Sequence, residues 1–123
     1  MTTKFDELPK FTREFKQLAR KYRSLPEDLE EFKRVIEVQP LGTGKHFNVI
    51  TRTDTITIVK ARLFCKYLKG SSLRIVYAVY SDRSHFEFIE IYFKGDKENE
   101  DRGRIESFMS GRLNSNDPSM RSQ

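Results

Sequence analysis

Lys60, Arg62 and Lys66 are spaced so that an extended chain puts all three on one side. Val59, Ala61, Leu63 and Cys65 take the opposite side. Such a strand buries its apolar face and presents cations on the other. The charge is local: residues 41–74 carry seven basic and one acidic side chain, against nine and eight in residues 1–40 and five and eight in residues 75–109. A basic stripe of this kind suits a polyanion or an acidic protein partner, or is simply a solvated face. Phe64, Tyr67, Tyr77 and Tyr92 are interleaved with it, and aromatic rings can stack bases. Further on, Glu90, Tyr92 and Lys94 alternate, and a regular strand carries all three on one face. An unperturbed histidine titrates near neutral pH, so His46 and His85 are candidate general bases, although each falls in a loop or turn. Cys65 lies on the apolar side and reads as a core thiol. With one cysteine in the chain, an intramolecular disulfide and a cysteine-rich metal site are both excluded.

The elements that must position these residues follow from periodicity. Phe11, Phe15, Leu18 and Tyr22 form one helical face, with Thr12 as a plausible N-cap and Arg13, Lys16, Gln17 and Arg20 outward. Ser24-Leu25-Pro26-Glu27 has the spacing of a capping box. Leu29, Phe32, Val35 and Ile36 then give a second helix its buried stripe, and Pro40 ends it. Lys4–Pro9 reads as a short strand or an extended lead-in. Gly42-Thr43-Gly44-Lys45 lacks the full phosphate-loop spacing and reads as a turn. Strands follow from Ile56, over Leu73–Tyr80 and over Phe86–Phe93, joined by short turns that imply antiparallel pairing. Glu98–Met109 reads as a final helix. Residues 1–109 therefore form one domain, and residues 110–123 read as a disordered tail. The fold class is α+β: an N-terminal helical hairpin packed on a small, mostly antiparallel sheet, with a short C-terminal helix. The other sheet face is expected to be the less covered one. No apolar run reaches membrane-span length and no signal peptide is legible, so a soluble cytoplasmic protein is expected, with no membrane partner.

The run Lys69-Gly70-Ser71-Ser72-Leu73-Arg74-Ile75-Val76-Tyr77-Ala78-Val79 resembles the central hairpin strand of toxins of the RelE/ParE superfamily. That strand opens with an arginine after a small-residue turn. Phe88-Ile89-Glu90-Ile91-Tyr92-Phe93-Lys94-Gly95-Asp96-Lys97 is similar to the next strand and its closing turn in one branch. The likeness covers about residues 5–108. It implies the toxin of a type II toxin–antitoxin system, neutralised by a cognate antitoxin protein. RelE-like members are endoribonucleases that cut mRNA in the ribosome, without metal or other cofactor, and so inhibit translation. ParE-like members share the fold but act on a protein target, DNA gyrase. On the first reading Arg74 contacts the scissile phosphate, and Lys94 and Lys66 serve as clamp or acid–base groups. Many nuclease members carry a Tyr or His near the C-terminus that residues 98–123 lack; either Tyr92 or a base made from Lys66 or Glu90 stands in for it, or the chain has no nuclease activity. Lys60, Arg62, Lys69 and Lys97 would bind RNA.

Overall fold

The computed structural model describes residues 3–42, 44–69 and 72–116; of 113–116 only the backbone is considered. The chain runs β1 (Lys4–Glu7), α1 (Pro9–Lys21), α2 (Leu25–Val38), a 3-10 turn (Gly44–His46), β2 (Phe47–Arg52), β3 (Ile56–Phe64), β4 (Ser72–Tyr80), β5 (His85–Phe93) and α3 (Arg102–Asn116). The five strands form one sheet in the order β1-β5-β4-β3-β2. The β2–β3, β3–β4 and β4–β5 pairs are antiparallel, as hairpin connections require, and β1 joins β5 in parallel.

Period-two alternation sorts the side chains. Val59, Ala61, Leu63, Ile75, Tyr77, Phe88 and Ile91 face the helical hairpin and meet Phe11, Leu25, Leu29, Phe32 and Ile36. Phe15 and Leu18 pack on this core from its margin while staying partly exposed. Phe32 sets its ring edge-on to Tyr77, with centroids 5.7 Å apart, and the Tyr77 hydroxyl donates to the Pro40 carbonyl at 2.7 Å. A buried phenol keeps its partner this way. A β-bulge leaves Ile89 without a cross-strand partner: Tyr77 pairs with Phe88 and Val76 with Glu90. Ile89 thereby turns to the opposite face, where it joins Ile56, Ile58, Val76 and Ala78 under Ile105 and Phe108 of α3.

Several local expectations need correcting. β2 adds an edge strand that the sequence did not suggest, whereas the short strand expected within Lys4–Pro9 is present over Lys4–Glu7. Thr12 lies inside α1, whose N-cap is Leu8. Ser24 is the N-cap of α2, but its hydroxyl bonds Asp28 at 2.7 Å and no capping box forms. Val35 is 49% exposed, off the buried stripe. The last helix begins at Arg102 and continues to Asn116, so residues 110–116 are helical where a tail was expected. The remainder of that segment, 117–123, lies outside the described residues. α3 also covers one half of the second sheet face, which leaves only the other half open.

α3 is held by two arginines. Arg104 grips Glu14 of α1 through two bonds, of 2.9 and 2.7 Å, and also donates to the Ile89 carbonyl. Arg112 reaches Glu87 at 2.6 and 3.1 Å. Among the described residues no helix is long and apolar enough to cross a membrane.

Candidate nucleic-acid interface

On the open half of the second face, the register aligns Arg62 of β3 with Arg74 of β4, and Arg74 with Tyr92 of β5. The next row is Lys60, Val76 and Glu90. Alternation puts these side chains opposite Leu63 and Ile75, so the face is polar here because the core lies behind it.

The two rows differ electrostatically. Lys60 is neutralised by Glu100 at 2.9 Å, and Glu100 also takes Arg102 at 2.6 Å. Glu90 is fully buried, pairs with Lys97 and accepts the Asp101 amide at 2.8 Å. Segment 97–101 is thereby drawn across the sheet from β5 to β3. Burial alone would raise the Glu100 carboxyl, but the Lys60 hydrogen bond, reinforced by the Lys60 and Arg102 charges, holds it below its ordinary pKa. Among the described residues, neither Arg62 nor Arg74 has an ion-pair partner. Arg74 donates to the Ser72 hydroxyl at 2.8 Å, and burial followed by the Arg62 charge pulls its pKa below the usual value. It remains charged at any physiological pH. Tyr92 is 6% exposed with the Lys97 ammonium 5.4 Å from its ring centroid. Burial, and then the Glu100 and Glu90 charges, push its phenol up to about 12. It is thus a proton donor at neutral pH.

The other expected site residues lie further out. Arg74 is the third residue of β4, not its first. Lys94 follows the end of β5 in an exposed turn, so strand alternation does not align it with Tyr92. Lys66 and Lys69 lie in the turn after β3, at the same end of the sheet as Lys94, because Leu73 pairs with Phe93 and Phe64 with Ser72. Lys66 and Arg62 also line a cleft of about 280 Å³ with Val35, His46, Phe47 and Phe64. Lys60 and Lys97 are on the face but already paired with carboxylates.

His46 presents its ring edge to Phe64, and its Nδ1 is buried without a hydrogen bond. His85 stacks on Tyr80 and bonds Asp6 at 2.9 Å, a structural role on the β1 edge. Cys65 is buried, 3.5 Å from the Ser24 hydroxyl. Glu100 escaped the sequence reading because acids before a helix look like helix-dipole partners. Asp101 does fill that role, accepting the Arg104 amide at 3.0 Å. Glu100 instead pairs across 40 residues of chain. No group of three or more His, Cys, Asp or Glu among the described residues could hold a metal ion.

No protein-family model and no curated protein sequence matches the chain. A structural match exists to a chain of the archaeal RelE–RelB complex from Pyrococcus horikoshii OT3, with a TM-score of 0.57 and 18% identity, covering 77% of this chain and 98% of that one. The fold is RelE-like. In this RelE-like sheet the Arg62–Arg74–Tyr92 row occupies the part of the second face that α3 leaves uncovered.

Proposed function

We propose that the chain is the toxin of a type II toxin–antitoxin pair, bound by a cognate antitoxin, and that it cleaves mRNA on the ribosome. The observation that carries this reading is the Arg62–Arg74 pair beside Tyr92: two uncompensated guanidiniums next to a phenol that stays protonated. Placing like charges on adjacent strands is unfavourable in itself, and an anion between them relieves it. A phosphodiester has the right charge, and a planar guanidinium binds two of its oxygens at once.

In the proposed reaction the ribose 2′-hydroxyl gives its proton to a solvent water and the 2′-oxygen attacks phosphorus. The bond to the 5′-oxygen breaks, leaving a 2′,3′-cyclic phosphate. Arg62 and Arg74 stabilise the added charge on the phosphoryl oxygens, where preorganised donors act most strongly. Tyr92 is placed to protonate the leaving 5′-oxygen. Lys66, Lys69 and Lys94, at the open end of the sheet, guide the strand by charge, and Lys60 and Lys97 join them where substrate phosphate displaces their carboxylates. No metal or other cofactor takes part.

A second reading is favoured by the exposed Phe64 and Val35 around the cleft, 61% and 49% exposed. Apolar surface of this kind fits a protein target, as in ParE-like toxins that act on gyrase. Induced expression in bacteria with mapping of RNA 5′ ends separates the two. Discrete in-frame cuts in mRNA, together with growth arrest reversed by the product of the neighbouring reading frame, are expected. Arrest with intact mRNA and altered DNA supercoiling would replace the nuclease reading with the protein-target one. Normal growth with abundant folded protein would remove both.

A further inference from the structure

β2 stops short of one end of β3. Its outermost pair is Phe47 with Ala61, so Arg62, Leu63 and Phe64 have a neighbouring strand on the β4 side alone. The cleft of about 280 Å³ opens here, between this bare edge and α2. Phe32 and Leu63, both buried, form its depth, while Val35 and Phe64 stay largely exposed beside them. Alternation puts Phe64 on the same sheet face as Arg62, two residues and roughly 7 Å along the strand. A single nucleotide spans that separation from its phosphate to its base.

An apolar plug would serve this cleft badly. Arg62 lines it and has no ion-pair partner among the described residues. Asp28 and Glu31 stand in the same wall. Asp28 is held by the Ser24 hydroxyl at 2.7 Å and the Lys66 amide at 3.2 Å. Glu31 meets Arg34 at 3.6 Å, in an exposed pair that contributes little. His46 also lines the cleft and keeps a buried Nδ1 without a hydrogen bond. Covering Arg62 and Glu31 with apolar surface would strip water from both charges and return nothing to either. A nucleotide instead offers a ring face to Phe64, hydrogen-bonding edges to the polar wall and a phosphate to Arg62. The volume lies at the small end of small-molecule sites and suits one base.

We infer that the cleft is a specificity pocket for one nucleobase of the RNA substrate. The base of the nucleotide whose phosphate lies on Arg62 stacks on Phe64 and turns its edge to Glu31. This inference rests on the nuclease reading of the Arg62–Arg74–Tyr92 row, but it can fail alone. Carboxylates only accept hydrogen bonds. Adenine, guanine and cytosine each bring an exocyclic amine to donate, whereas uracil flanks its one N–H with two carbonyl oxygens. The pocket therefore selects against uracil. The row by itself reads phosphates, which carry no sequence information; Phe64 and Glu31 add the base to what is read.

The test is cleavage by the full-length protein on purified ribosomes, programmed with mRNAs that differ at one position of the codon to be cut. Adenine, guanine, cytosine, uracil and an abasic residue are placed at each codon position in turn. Wild type is compared with Phe64→Ala, Phe64→Trp, Glu31→Gln and Arg74→Ala. Phe64 is 61% exposed, so the fold should hold, and unchanged melting confirms it. At one codon position, Phe64→Ala should lose about tenfold or more in kcat/KM on intact codons, the worth of one base stacked on an aromatic ring, and nothing on the abasic one. Phe64→Trp should restore the rate. Wild type should cut uracil poorly at that position, and Glu31→Gln should narrow the gap, because an amide donates as well as accepts. Arg74→Ala should lower every template alike. Equal losses on intact and abasic codons in Phe64→Ala would overturn the inference. So would wild-type cutting by Phe64→Ala where Arg74→Ala is inactive, and that result leaves the nuclease reading standing. A wild type that cuts no template takes both down; if growth arrest then depends on Phe64 and not on Arg74, the occupant of the cleft is a protein.

Discussion

Arg62 stands directly opposite Arg74 across the β3–β4 ladder, and among the described residues no carboxylate compensates either of them. One row further along, Lys60 is neutralised by Glu100. On the function proposed above, activity and stability therefore pull in different directions within two residues of the same strand. Arg74→Ala should leave melting unchanged or slightly raise it, because a repulsion is removed. Cleavage of ribosome-bound mRNA should fall about 100- to 1000-fold, the usual cost of losing one transition-state donor. Arg74→Lys keeps the charge but loses the planar fork, and should fall nearly as far. Near-wild-type cutting by both variants would remove Arg74 from the site.

Tyr92→Phe separates the hydroxyl from the ring. The ring still fills its place under Lys97, so the fold should hold. Loss of the proton donor should lower the single-turnover cleavage rate by about 100-fold or more, within the range of general acid catalysis. A substrate with a better leaving group at the 5′ position should narrow the gap between variant and wild type. An equal gap on both substrates would assign Tyr92 to packing alone.

The carboxylates under α3 set the acid limit of the fold. Burial alone would raise Glu87 and Glu100, but hydrogen bonds from Arg112 and Tyr80 hold Glu87 low, and one from Lys60 holds Glu100 low. The unfolded chain thus takes up these protons at a higher pH than the folded chain does. The stabilisation is complete above the unfolded value of about 4.3 and is lost as the pH falls through the folded values. Melting temperature should be level near neutrality and decline below about pH 4.5, with Glu87→Gln and Glu100→Gln flattening the decline. A melting curve in which both variants keep the wild-type acid slope would contradict this.

Arg104 joins three elements: α3, Glu14 of α1 and the Ile89 carbonyl of β5. Its side chain is 11% exposed, and removing it leaves the partly buried Glu14 carboxylate with only the Ile91 amide, at 3.3 Å, and no countercharge. Arg104→Ala should cost on the order of 3 kcal/mol in denaturant unfolding. Glu14→Gln should cost less, since the amide can still accept from the guanidinium. Phe32→Ala, at the centre of the hairpin core, should cost about 3–5 kcal/mol, whereas Val38→Ala, 80% exposed, should fall within about 0.5 kcal/mol of wild type.

What the chain discloses in one dimension depends on how local the cause is. Strict alternation from Val59 to Cys65 is legible because the core sets it residue by residue, and so are the Phe11–Tyr22 stripe and the stop at Pro40. β2 was not legible: Phe47–Arg52 has no wholly apolar face, and an irregular register between Val49 and Thr51 breaks its alternation. The role of Glu100 was not legible because its partner, Lys60, lies 40 residues back in the chain. Arg62 and Arg74 could each be picked out as candidates, but their apposition needed the register.

β1 is the first strand made and pairs with the last: Lys4 sits beside His85 and Glu7 beside Phe88. Closing so long a loop before any contact rewards it slows folding. Tyr92, Lys97 and Glu100 all follow β4, so the row that Arg62 and Arg74 begin is completed only once β5 has been made. On the function proposed above, a nascent or truncated chain ending before β5 carries Arg62 and Arg74 but lacks Tyr92 and the strand that completes the sheet behind them, and translation of the protein should be harmless to the ribosome making it until β5 has emerged.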